Sequence, residues 1–76
     1  MQFDFYTPGQ RVKFIYKCKY KIEYGEKGTV VPNLLDEKGI VAIDWDKEED
    51  GRHDCDGTAR DGHGWWVPKD YVEIIL

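Results

Sequence analysis

The chain has 76 residues, 41% of them hydrophobic and 14% aromatic, with a formal net charge of −4 and two cysteines. That length makes a single domain over residues 1–76; the apolar content excludes a disordered chain, and the absence of any run of ~18 apolar residues excludes a membrane-spanning helix. A chain this short buries only ~60–65% of the surface its unfolded form exposes, so a disulfide, a metal or a partner is expected to supplement the core.

From Arg11 to Lys21 the residues alternate, with Val12, Phe14, Tyr16, Cys18 and Tyr20 on one side and Lys13, Lys17, Lys19 and Lys21 on the other; Ile15 is the exception. A period of two with one apolar side predicts a half-buried first strand. Gly25 and Gly28 bracket a turn into a second strand, Thr29-Val30-Val31, which Pro32-Asn33 ends. Glu37-Lys38-Gly39 predicts a further turn before Ile40-Val41-Ala42-Ile43-Asp44-Trp45, β-rich enough for a central strand. Residues 46–64 read as a long polar loop. Trp65-Trp66-Val67 then makes a short strand, Pro68-Lys69-Asp70 a tight turn, and Tyr71 to Ile75 the last strand. Adjacent side chains on a strand point to opposite faces, so at least one of Trp65 and Trp66 is expected in the core. Beyond one turn near Leu34-Leu35, nothing has the length and period of a helix. Five short strands separated by glycine turns predict an all-β domain, a small closed antiparallel barrel with a long loop between strands 3 and 4.

Charge is unevenly spread. Six basic residues between Arg11 and Lys27 face only Glu23 and Glu26, a balance of +4, whereas seven acids between Asp44 and Asp56 face Lys47 and Arg52, a balance of −5. A dipolar molecule with an acidic loop is expected. Such a loop repels phosphate and attracts basic surfaces, which disfavours nucleic acid as a ligand and favours a basic protein. A stripe of Arg11, Lys13, Lys17, Lys19 and Lys21 offers the competing reading of a nucleic-acid face. The N-terminal residues lack the basic and apolar regions of a signal peptide, so a cytoplasmic setting is expected, with the cysteines as thiols or ligands.

Both histidines and one cysteine crowd into the stretch from Arg52 to Pro68, R-H-D-C-D-G-T-A-R-D-G-H-G-W-W-V-P. In an up-and-down barrel the first and third loops lie at the same end. Cys18, near the first loop, could then join His53, Cys55 and His63 in a tetrahedral set, for which zinc is the usual metal. Asp54, Asp56 and Asp61 would orient the imidazoles or replace a ligand. A closed four-ligand site has no position for a reacting water, so a structural zinc and no enzymatic activity are expected; an open-zinc hydrolase is the competing reading. The alternatives for the cysteines are a Cys18–Cys55 disulfide or burial as small apolar side chains. The histidines could equally cap turns or bond the aspartates.

The closing segment G-W-W-V-P-K-D-Y-V-E (Gly64 to Glu73) resembles the end of SH3 domains. That resemblance implies an SH3-like barrel and an aromatic groove for peptides at Trp66, Pro68 and Tyr71. From Gly28 to Ile74, the pattern G-T-V-V, V-A-I-D-W-D and the glycine-rich run before a final aromatic strand is similar to the MIB/HERC2 modules of ubiquitin ligases, which bind proteins. A small acidic chain with D-G-H-G-W-W-V also resembles phage and prophage products, among them metal-containing type II-A anti-CRISPR proteins that inhibit Cas9. The expectation is therefore a phage-encoded, non-catalytic inhibitor of a basic nucleic-acid enzyme, engaging it through Asp46, Glu48, Glu49, Asp50, Trp66 and Tyr71. An SH3-like or MIB/HERC2-like peptide reader is the alternative.

Overall fold

A computed structural model describes residues 6–17, 21–34 and 39–75. Five strands form in chain order: β1 (Arg11–Phe14), β2 (Lys27–Val30), β3 (Ile40–Trp45), β4 (Gly64–Pro68) and β5 (Val72–Ile74). They make one antiparallel sheet in the order β4-β3-β2-β1-β5. The all-β class and the long β3–β4 connection therefore match the expectation from sequence.

The expected barrel is not closed. β5 pairs with β1 and β4 with β3, and among the described residues no ladder joins β4 to β5. Instead a 3-10 turn, Lys69–Tyr71, carries the chain between them. Pro68 presets that turn and has no amide hydrogen to give a neighbouring strand. The Tyr6 hydroxyl reaches across the gap, donating to the carbonyls of Lys69 and Val72 at 3.2 and 3.1 Å. Burial of the ring raises its pKa above the ordinary 10.0, so it remains a donor throughout the neutral range.

The first strand is shorter than its alternation predicts. The ladder stops at Phe14, and the Ile15 amide bonds the Tyr71 carbonyl (2.7 Å) while the Gly25 amide bonds that of Phe14 (2.8 Å). Tyr16 keeps its inward phase without strand pairing, stacking on Tyr71 with ring centroids 3.7 Å apart. Cys18 and Tyr20, the remaining positions of that pattern, lie outside the described residues. Ile22, in the connection between β1 and β2, is buried in the core.

The core comprises Val12, Phe14, Ile22, Val30, Val41, Ile43, Trp45, Val67 and Val72. Phe14 lies at its centre, meeting Trp45, Tyr16 and Tyr71 edge-on at 5.9–6.4 Å, a geometry that suits the aromatic quadrupoles. Trp65 shares the face of Ile43 and packs against this core, whereas Trp66 pairs with Ala42 on the opposite face. The two tryptophans thus divide between the faces, as strand geometry requires.

Candidate functional site

The β3–β4 connection, residues 46–63, covers all but the last residue of the 46–64 stretch that reads from sequence as a long polar loop. It is folded back onto the sheet and held at both ends. Arg60 clamps Asp44 of β3 with its side chain (2.8 Å) and with its backbone amide (2.9 Å). His53 exchanges two backbone bonds with Gly64 at the edge of β4 (3.0 and 2.6 Å), an isolated bridge beside the sheet. Between these anchors Cys55 is fully buried, and Cys55 and Asp56 take positive φ values of 50° and 60°.

A second joint ties this segment to the β1–β2 connection. The Arg52 guanidinium, its side chain 2% exposed, bonds both carboxylate oxygens of Glu26 (3.0 and 2.9 Å) and the Lys47 carbonyl (2.6 Å). Lys21 places its ammonium 5.5 Å from the centre of the Trp65 ring. The first and third loops therefore do share one end of the sheet, as the topology of alternating connections implies. Arg11 pairs with Asp46 at 2.6 Å, so the basic and acidic segments meet rather than forming separate poles.

Four cations, Arg11, Lys47, Arg52 and Arg60, pair with carboxylates of the fold. Asp46 is held by Arg11, Asp44 by Arg60, and Glu49 by Lys47 at 3.4 Å with Arg52 at 3.8 Å. Glu48, Asp50, Asp56 and Asp61 are exposed and have no ion-pair partner among the described residues. Of the acids expected to bind a partner, Glu48 and Asp50 thus remain open, while Asp46 and Glu49 are engaged. Asp56 and Asp61, which were not among the expected partner-binding residues, are exposed as well.

Hydrogen bonds and charge from Arg60 outweigh desolvation at Asp44, and the bond from Arg11 holds Asp46 down; both carboxyls titrate below the ordinary 3.8. A depressed folded-state pKa adds stability above the unfolded value, which disappears as pH falls through the folded one. Acid unfolding is therefore expected to begin below about pH 4, and Asp44→Asn should flatten the slope there; melting curves across that range measure it.

The donors expected to hold zinc are placed differently from one another. His63 donates from Nδ1 to the Trp45 carbonyl at 2.7 Å, which leaves the Nε2 lone pair available, the arrangement metal-bound histidines use. His53 has the opposite tautomer: its Nδ1 accepts the Cys55 amide hydrogen at 2.9 Å, so its lone pair is occupied and Nε2 carries the proton. Its ring lies 4.5 and 5.1 Å from the rings of Trp66 and Trp65.

Cys55 is a free thiol, not a disulfide. Burial, with Asp54, Asp44 and Asp56 nearby, pushes its pKa up to about 11 against a weaker contact to the Ile43 carbonyl. Among the described residues no group of three or more His, Cys, Asp or Glu side chains converges on a metal position, and Cys18 lies outside them. Cys55 should resist alkylation at pH 8 in the folded protein and react on unfolding; peptide mapping after iodoacetamide treatment reads this directly.

The expected peptide groove is likewise divided. Tyr71 stacks on Tyr16 at the core side of the 3-10 turn, while Trp66 faces outward under His53. Tyr16 was not among the expected groove residues, although its inward phase on the first strand was the available signal. No protein-family model matches the chain, and no curated protein matches it.

Proposed function

We propose that this protein is a non-catalytic binding module that presents the 46–63 segment to a basic protein surface. What supports this reading is the consumption of cations: Arg11, Lys47, Arg52 and Arg60 pair within the fold, leaving Glu48, Asp50, Asp56 and Asp61 exposed on an anchored segment. Carboxylates held on a folded scaffold lose less freedom on docking than those on a mobile loop, and they speed encounter with a positive partner. A nucleic-acid enzyme supplies such a surface in the channel that holds its guide or substrate, and a phage-encoded inhibitor of Cas9 is the specific form of this proposal.

The experiment is DNA cleavage by a guide-loaded Cas9 with and without the protein, alongside Glu48→Lys, Asp56→Lys and Asp61→Lys combined. These carboxylates have no ion-pair partner among the described residues, and because Asp56 has a φ of 60° the melting temperature of the triple variant is measured beside its inhibition. Inhibition by the parent chain and its loss, by roughly tenfold or more, in the triple variant is the expected result. Equal inhibition by both chains removes the acidic surface from the mechanism, and no inhibition by either removes Cas9 as the partner.

A structural zinc on Cys18, His53, Cys55 and His63 belongs to this proposal as a staple. For it to form, His53 must release the Cys55 amide and the Cys55 thiol must lose its proton. Loss of bound metal together with a falling Tm in chelator supports it; metal-free protein with an unchanged Tm removes it.

The stacked Tyr16–Tyr71 pair favours a second reading, a peptide-binding module of SH3 or MIB/HERC2 type. Titration with a proline-rich peptide would then shift the resonances of Tyr16, Pro68 and Tyr71, and unshifted spectra exclude it.

A further inference from the structure

We propose that Asp50–Gly51 is a site of spontaneous main-chain modification, where the aspartate isomerises through a cyclic succinimide to isoaspartate. The inference does not depend on the identity of any partner. Residues 46–63 contain three Asp-Gly pairs: Asp50-Gly51, Asp56-Gly57 and Asp61-Gly62. At such a pair the glycine amide nitrogen, once deprotonated, attacks Cγ of the aspartate. An N–Cγ bond forms, a Cγ–O bond breaks, and the carboxyl oxygen departs as water. Water then opens the ring at either carbonyl. Opening at the α-carbonyl leaves the main chain running through Cβ and Cγ, so water lost in the first step returns in the second and no other reactant is required.

Glycine offers no side chain to obstruct the attack at any of the three pairs, so differences among them must come from the fold. Gly57 is the most restrained, because its amide donates to the Asp54 carbonyl at 2.9 Å and its nitrogen is occupied. The other two pairs sit in equivalent turns. The Arg52 amide bonds the Glu49 carbonyl (3.2 Å) around Asp50-Gly51, and the His63 amide bonds the Arg60 carbonyl (3.0 Å) around Asp61-Gly62. In each, the glycine has a positive φ, 92° at Gly51 and 86° at Gly62, while the aspartate does not. That combination has the φ pattern of a type II turn, in which the extended aspartate must rotate before the ring can close.

Asp61-Gly62 is held against that rotation. The Gly62 carbonyl accepts the Glu49 amide at 3.1 Å, Arg60 beside it is clamped to Asp44, and an added Cβ on Gly62 would meet Glu48 at 3.0 Å. The Gly51 and Gly62 amides alike have no acceptor among the described residues, but Asp50 and Gly51 are both exposed where Gly62 is half-buried, a Cβ on Gly51 would meet only Lys21 Nζ at 3.7 Å, and their turn closes through the longer of the two bonds. The product would add one methylene to the main chain two residues before Arg52, the residue that joins this segment to Glu26.

The test is incubation of the full chain at neutral pH and body temperature over weeks, followed by peptide mapping with electron-transfer fragmentation, which distinguishes the two aspartyl isomers. A species lighter by one water should appear first. Isoaspartate should then accumulate at residue 50 several-fold faster than at 56 or 61. In urea the three rates should converge, because only folding separates them. Asp50→Glu, which cannot close the five-membered ring, should abolish the signal at that position without altering the melt. Equal rates at the three pairs in the folded protein, a faster rate at 56 or 61, or a ranking that survives in urea would each overturn the proposal.

Discussion

Arg52→Met is expected to destabilise the domain by about 3–5 kcal/mol, the cost of leaving one member of a buried ion pair without the other. A chain of this length has a total stability on the order of 4–11 kcal/mol, so most of the margin would go. The Glu26 side chain, only 12% exposed, would keep its charge while losing both bonds from the guanidinium. The Lys47 carbonyl would lose its donor as well. At ~4–8 °C per kcal/mol for a domain this small, the melting temperature should fall by tens of degrees.

The double variant Arg52→Met with Glu26→Leu separates pairing from packing. Replacing both charges by apolar groups of similar volume removes the orphaned carboxylate, and such replacements are often neutral. Most of the lost stability should therefore return. Arg52 already buries an Nε hydrogen with no acceptor among the described residues, which makes the intact pair less stabilising than its bond count suggests. A single variant that melts within a few degrees of the parent would show that the two loops are not joined through this residue.

Gly28→Ala and Gly64→Ala carry the next largest effects, about 1–3 kcal/mol each, through steric collision and not through backbone conformation. Neither glycine has a positive φ. A Cβ on Gly28 would lie 2.6 Å from Ile43 Cγ2 and 2.8 Å from the Asp44 carbonyl oxygen, where β2 crosses against β3. On Gly64 it would lie 2.7 Å from the His53 carbonyl oxygen, 2.9 Å from the Cys55 amide nitrogen and 3.0 Å from the Cys55 sulfur.

The two substitutions should differ in where the damage appears. Gly28→Ala disturbs the sheet interior and should lower protection of amides in β2 and β3 together. Gly64→Ala pushes the folded-back segment off the edge of β4 and should expose Cys55 to alkylation while the sheet itself holds. Hydrogen exchange with thiol labelling distinguishes the two patterns. Unchanged Cys55 reactivity in Gly64→Ala would show that this close approach does not anchor the loop.

Local chemistry determined which stretches could become strands. Val12 and Phe14 alternate with charged neighbours, Ile40 to Trp45 is β-rich throughout, and Pro68 ends β4 because it cannot continue a ladder; each signal resides in a few adjacent residues. Tertiary structure decided what lay beyond that range. The alternation past Phe14 gives no hint that Tyr16 leaves the ladder to stack on Tyr71, fifty-five positions away, or that Ile22 turns inward. Counting charges from Asp44 to Asp56 likewise cannot show that Arg11, Lys47, Arg52 and Arg60 neutralise some carboxylates and leave others open. The histidines make the same point, since His53 and His63 are identical side chains whose opposite tautomers are imposed by an amide donor in one case and a carbonyl acceptor in the other. Pattern and propensity act over a few neighbouring residues; charge pairing, burial and tautomer depend on partners that only folding brings near.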